Sequence, residues 1–281
     1  MKIFEIDQNT LERYVPAAKN ATDEVFVQLS GSLEDAEESL LRVLGQVPDD
    51  LLANEDVCKL CVRFICQEAF FRAVPHLDLI LTGSGFGIVN TSNVAPASPH
   101  RVQSLREEVR RQRSDAFDLL LEKLVGTSWA EQPHCQEYVP GLLFTAMQLR
   151  RYGVRQADGG EIYQEEYHAM AAAIREAESF LHYRYSPELY EYLVRKVLKG
   201  SCTNLESFVI ERMRRLMACH IGDASPSKGK TRALNTLADE LSRVLDAHVD
   251  ELLVYKESST YAANHFETYQ NKAHDNTFFF S

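Results

Sequence analysis

Apolar side chains recur every three or four positions along most of this chain, the spacing that gathers them on one face of an α-helix. A short helix is predicted from about Asn9 to Pro16, preceded by Lys2–Ile6 (KIFEI), whose alternation reads as a strand. A second helix covers Leu33–Leu44, with Leu33, Ala36, Leu40 and Leu44 on one face and Gly45 and Pro48 as stop signals. Residues 55–73 differ in kind. Val57, Leu60, Cys61, Phe64 and Ile65 mark one face, and Cys58, Val62, Cys66 and Phe70 fill the other, so this helix is predicted to be central and buried.

The stretch Leu77–Ser98 breaks the helical period. Leu77, Leu79 and Leu81 alternate with Asp78 and Thr82; Phe86, Ile88 and Asn90 alternate with Gly87 and Val89; Gly83-Ser84-Gly85 lies between. Glycine accepts positive φ, so a β-hairpin is predicted over residues 77–90. A lone hairpin is marginal in water and must lie on helices or pair with a partner. Ser98-Pro99 then reads as N-cap and first helical residue of a helix that runs to about Val125 and stops at Gly126. Its first half is locally basic, through Arg101, Arg106, Arg110, Arg111 and Arg113.

A helical piece is predicted near Leu142–Tyr152, and the Asp158-Gly159-Gly160 loop is the predicted boundary. Four helices follow: Glu161–Tyr183, Ser186 to Gly200, a third opened by the capping box Thr203-Asn204-Leu205-Glu206 and closed by Gly222, and Thr231–Tyr255. The last would be roughly 37 Å long and carries His248 on its apolar stripe, as a core histidine. The fold class is therefore mainly α, a multi-helix bundle with a small β-hairpin inserted between helices. Its divisions are an N-terminal helical region with the hairpin (1–157), a C-terminal four-helix region (158–256) and a polar tail (257–281). That tail ends in Phe278, Phe279 and Phe280, which need cover from this chain or a neighbouring one.

Composition narrows the function classes. A formal net charge of -11 over 281 residues argues against a general nucleic-acid binder and fits docking on a basic surface. No run reaches the roughly 20 apolar residues of a membrane span, and the first residues lack the pattern of a signal peptide, so a cytoplasmic protein is expected. The six cysteines are then expected to be free thiols.

Candidate chemistry is thin. Ala224 to Thr231 (ASPSKGKT) fits a relaxed phosphate-binding loop, with Gly229, Lys230 and Thr231 in the diagnostic places. The preceding segment is helical where a strand is required, and Pro226 removes a donor, so an interhelical loop is the preferred reading and a nucleotide-binding enzyme the alternative. Gly83-Ser84-Gly85-Phe86-Gly87 leads into a strand, not the helix a dinucleotide site needs. Cys58 and Cys61 have CxxC spacing inside an apolar helix and read as core. Glu165 and His168 form one Glu-x-x-His where a di-iron bundle needs two, so a metal-dependent enzyme is the weakest alternative. No catalytic, cofactor-binding or metal-ligating residue is assigned. The arginine run at 101–113 reads as a solvated helix face or as a rim facing a protein or DNA.

An apolar helix leading into GFGIVN, then NVAPAS, then an Arg/Glu-rich helix, with a distant tail YQNK…TFFFS, resembles a family of uncharacterised proteins encoded in phages and prophages of Bacteroides-type bacteria, near their capsid and tail genes. The resemblance is carried by about Val57–Leu124 and the last dozen residues. It implies a virion structural protein of the head–tail connector or adaptor kind, located in the virion and, during assembly, in the host cytoplasm. It would act by protein–protein assembly and not by catalysis. The implied partners are copies of itself in a ring-forming homo-oligomer and a neighbouring portal or tail component, with incidental contact to packaged DNA and none to membrane. The interface candidates are Phe86 and Ile88 of the hairpin, Arg106, Arg110 and Arg113 of the basic helix, and Phe278, Phe279 and Phe280.

Overall fold

The computed structural model describes residues 3–19, 23–47, 49–76, 79–82, 85–88, 98–222 and 228–265. Among them the chain is mainly helical, and it divides into two compact units, Met1–Met170 with Val197–Ser201, and Ala171–Lys196 with Cys202–Ser281.

In the first unit the helices are α1 (Gln8–Tyr14), α2 (Asp23–Leu44), α3 (Asp49–Ala53), α4 (Glu55–Ala73), α5 (Pro99–Leu124), α6 (Cys135–Tyr138), α7 (Ala146–Arg151) and α8 (Gln164–Ala169). Helix α4 is the centre. Asn54 caps it by accepting from the amides of Asp56 (3.1 Å) and Val57 (3.3 Å), and Glu55 and Asp56 suit the positive end of the helix dipole. Both of its sides are buried, against α2 and α5. Leu40, Leu44, Phe64, Ile65, Ala116, Leu120, Leu124 and Trp129 make one core cluster; Leu11, Leu29, Cys66, Phe70 and Val109 make a second. Ser98 caps α5 through the amide of Arg101, with Pro99 at the first position.

Between α4 and α5 two four-residue extended segments, β1 (Leu79–Thr82) and β2 (Gly85–Ile88), lie antiparallel, with Leu79 opposite Ile88 and Thr82 opposite Gly85. The N-terminal strand predicted for KIFEI is not formed. The amides of Ile3 and Phe4 donate instead to one carboxylate oxygen of the buried Glu37, at 2.7 and 3.0 Å, which satisfies them without a partner strand.

The C-terminus of α2 is closed from far along the chain. Trp129, fully buried, donates its indole N–H to the carbonyl of Val43 (2.9 Å), and the Nε2 of His134 lies 3.0 Å from the same oxygen. Gln132 donates to the carbonyl of Gln46 (2.8 Å) and accepts from its amide (3.0 Å). Gly45 turns the chain here at φ +63°, and a Cβ on it would stand 2.1 Å from Cε1 of His134.

The second unit holds α9 (Ala171–Arg184), α10 (Pro187–Leu198, except its last turn), α11 (Asn204–Ile221), α12 (Lys228–Ala247), α13 (Leu253–Lys256) and α14 (Ser259–Asn264). The capping box is present: Glu206 N–H donates to Thr203 Oγ1 (3.2 Å) and Thr203 N–H to the Glu206 carboxylate (2.7 Å). Helix α11 packs on α9 and α12.

Three sequence expectations change. The Asp158-Gly159-Gly160 loop is a closed turn inside the first unit, with Gly160 N–H donating to Asp158 Oδ1 (2.8 Å); the division falls after Met170. The single helix predicted for Glu161–Tyr183 is broken at Met170 into α8 and α9. The long helix Thr231–Tyr255 ends at Ala247, and the chain turns at 248–251 before α13. His248 is thereby removed from the core, its Nδ1 2.8 Å from the Glu251 carboxylate and its side chain 44% exposed. No helix among the described residues is long and apolar enough to cross a membrane.

Candidate functional site: two arginine clusters

Three of the arginines in the basic half of α5, Arg110, Arg111 and Arg113, are paired with carboxylates. Arg113 is buried; one end of its guanidinium donates to Glu68 of α4 (3.1 Å), the other to Glu165 of α8, and its carbon lies 4.4 Å from the ring centre of Phe71. Arg106, exposed, lies 5.3 Å over the same ring. Arg110 pairs with Glu166 (2.5 Å) and Glu165 (3.3 Å) and covers Tyr163 at 4.9 Å. Arg111 pairs with Glu108 (2.7 Å). Burial opposes ionisation of Glu165, but the charges of Arg113 and Arg110 outweigh it and hold its carboxyl below the ordinary range. Arg150 of α7 extends the network, donating to Asp115 and to the carbonyl of Ile162 (2.7 Å). The arrangement is charge-matched and ties α4, α5, α7 and α8 together. Arg113 is therefore an internal tie, and Arg110 is engaged, where an interface was expected.

Asp118 is the most perturbed carboxyl in this network. It is almost fully buried, accepts from the amide of Met147 (2.7 Å) and stands 3.9 Å from Arg150. Burial pushes its pKa up to about 7 against the opposing pull of that amide and of Arg150.

The remaining sequence candidates separate. Phe86 and Ile88 fall on β2 by backbone alone. Phe278, Phe279 and Phe280 lie outside the described residues, as does 223–227 of the loop before α12. The segment ahead of that loop is α11, a helix where a phosphate-binding loop has a strand. Glu165 is committed to arginines, and His168 rests edge-on against Tyr167 at 5.6 Å. Among the described residues no three His, Cys, Asp or Glu are placed to hold a metal ion. Burial raises the thiols of Cys61 and Cys66 to about 12, which keeps them protonated and poor nucleophiles.

A second arginine cluster lies in the second unit. A groove of about 900 Å³ between α11 and α12 is lined by Arg212, Arg215, Arg232 and Arg243, with Glu240 the one carboxylate. Arg212 pairs with Glu240 (3.2 Å) and lies 4.9 Å over the ring of Phe208, which is 44% exposed. The sequence reading passed over these residues. Their signal was the helical spacing of Arg232, Thr236, Glu240 and Arg243 opposite Arg212 and Arg215.

Compared with known proteins, residues 18–137 match a family of unknown function (DUF6712). That stretch is less than half of the chain and runs from the approach to α2 through α6. No curated protein and no solved structure matches.

Proposed function

We propose that this chain is a virion structural protein of the head–tail connector or adaptor kind, a non-enzymatic assembly component that joins copies of itself and a portal or tail neighbour. The observation that carries this reading is the fate of the α5 arginines. Arg110, Arg111 and Arg113 are paired with carboxylates, and Arg106 and Arg113 cover Phe71, so the most distinctive charged feature of the chain is spent on holding helices together. The family resemblance over Val57–Leu124 supports it, since that stretch holds nearly all of α4, the whole of α5 and the extended segments between them. In this proposal the hairpin over 77–90 and the terminal phenylalanines are the docking elements, because among the described residues β1 and β2 pair only with each other and a two-stranded ribbon leaves both edges open to strand addition. The site of action is the virion, reached through the host cytoplasm.

Light scattering of the purified protein, alone and mixed with the products of its genomic neighbours, tests the reading. Discrete oligomers or complexes are expected, and a chain lacking Thr277–Ser281 is expected to stay folded and lose them. A stable monomer in every mixture would overturn the proposal.

A further inference from the structure

We infer that the groove between α11 and α12 binds the phosphate backbone of a single nucleic-acid strand. This goes beyond the assembly role and does not rest on it. The chain as a whole is acidic, at -11, but the groove reverses that sign locally, with four guanidinium groups against one carboxylate. Glu240 offsets Arg212 alone. Among the described residues no carboxylate lies within ion-pair distance of Arg215, Arg232 or Arg243, in contrast to Arg110, Arg111 and Arg113 on α5. Three arginines with no acidic partner among the described residues, around one open groove, are the chemistry of a polyanion site.

Two features favour a nucleic-acid strand over an acidic peptide. Arg232 and Arg243 are eleven positions apart on one helix, about 16 Å along its axis, a span that reaches successive phosphates of one strand. Phe208 stands half-exposed beside the Arg212 guanidinium, and an exposed ring next to a basic groove is a platform on which a base can stack. An acidic peptide would use the arginines and have no need of the ring. Thr236 adds a neutral hydroxyl to the same wall.

Fluorescence anisotropy of labelled oligo-dT (20 nucleotides) with the full chain tests this. Binding is expected to weaken with a log–log salt slope of about -2, roughly 20-fold between 50 and 200 mM salt, from three phosphate contacts on single strands. Arg215→Ala/Arg243→Ala should weaken it at least 10-fold, Phe208→Ala several-fold, and Arg195→Ala, an exposed arginine on α10, not at all. Circular dichroism confirms that each variant is folded. If the double variant unfolds, Arg232→Ala alone takes its place. The inference is overturned by absence of oligo-dT binding at 50 mM salt, by unchanged binding in the arginine variants, or by poly-glutamate of equal length competing as well as unlabelled oligo-dT. Displacement by magnesium-ATP at micromolar concentration would also overturn it, in favour of a mononucleotide pocket.

Discussion

Gly126 and Gly200 meet backbone to backbone: a Cβ added to Gly200 would stand 2.8 Å from the Cα of Gly126, and Gly126 N–H donates to the carbonyl of Leu198 at 2.8 Å. Both have positive φ, +84° and +59°. The two residues stop helices, and neither tolerates a side chain. Gly200→Ala is expected to cost about 2–4 kcal/mol, combining backbone strain with a clash that no rotamer relieves. Urea denaturation would show it as a lowered midpoint with unchanged slope; an unaltered midpoint would mean that the contact opens without penalty.

A second glycine differs in what it meets. At Gly45 the obstructing atoms belong to the side chains of His134 and Gln132, not to backbone. Gly45→Ala therefore loses the His134 cap on Val43 as well as suffering positive-φ strain, about 2–3 kcal/mol together. In a Gly45→Ala/His134→Ala double variant the clash with the ring is gone, so its loss should be smaller than the sum of the singles. Strict additivity in thermal or urea unfolding would refute the steric account.

Burial of Asp118 gives stability a pH dependence of definite sign. Its folded-state pKa, about 7, lies above the unfolded value of about 3.9, so the folded chain binds the extra proton between those limits. The contribution of Asp118 is fully present below pH 4, is lost as pH rises toward 7, and is constant above that. Asp118→Asn keeps an acceptor for the Met147 amide and removes the proton, so the stability difference between variant and wild type should grow across pH 4–7 by up to about 4 kcal/mol in favour of the variant. Parallel pH profiles for the two proteins would show that Asp118 ionises normally.

Arg113 is predicted to act as a strut. Its removal leaves Glu68, whose side chain is 9% exposed, with Arg72 at 2.5 Å as its remaining cation. Arg113→Met should cost about 3 kcal/mol, and Glu68→Gln added to it should recover a good part of that, because the stranded charge is then gone. A double variant no more stable than the single would place the cost in lost packing on Phe71.

The helices with local signals were legible in the sequence. Residues 55–73 are α4 to the residue, Ser98-Pro99 opens α5, and Thr203 to Glu206 caps α11. The misreadings occur where apolar spacing continues through a bend. Leu245, His248, Leu252 and Tyr255 keep helical register, yet the chain turns at 248–251. Leu252 and Tyr255 are still buried there, and the Tyr255 hydroxyl donates to Asp246 (3.3 Å). Periodicity records that a side chain is buried and is silent on whether one straight rod buries it. Which arginines are paired was illegible for a related reason. Arg113 and Arg215 look alike in sequence, and their fates are set by carboxylates that lie 45 and 52 positions from Arg113, while among the described residues none pairs with Arg215.

The cap on α2 bears on the order in which the chain acquires its shape. The carbonyls of Val43 and Leu44 wait for Trp129, Gln132 and His134, 86 to 91 positions later. A nascent chain emerging from the ribosome cannot complete this cap until residue 134 is free, after α4 and α5 have been made. The stretch shared with DUF6712, 18–137, contains both halves of that closure. A fragment ending before Thr127 would leave the synthesis of that helix complete and its C-terminal carbonyls without these partners.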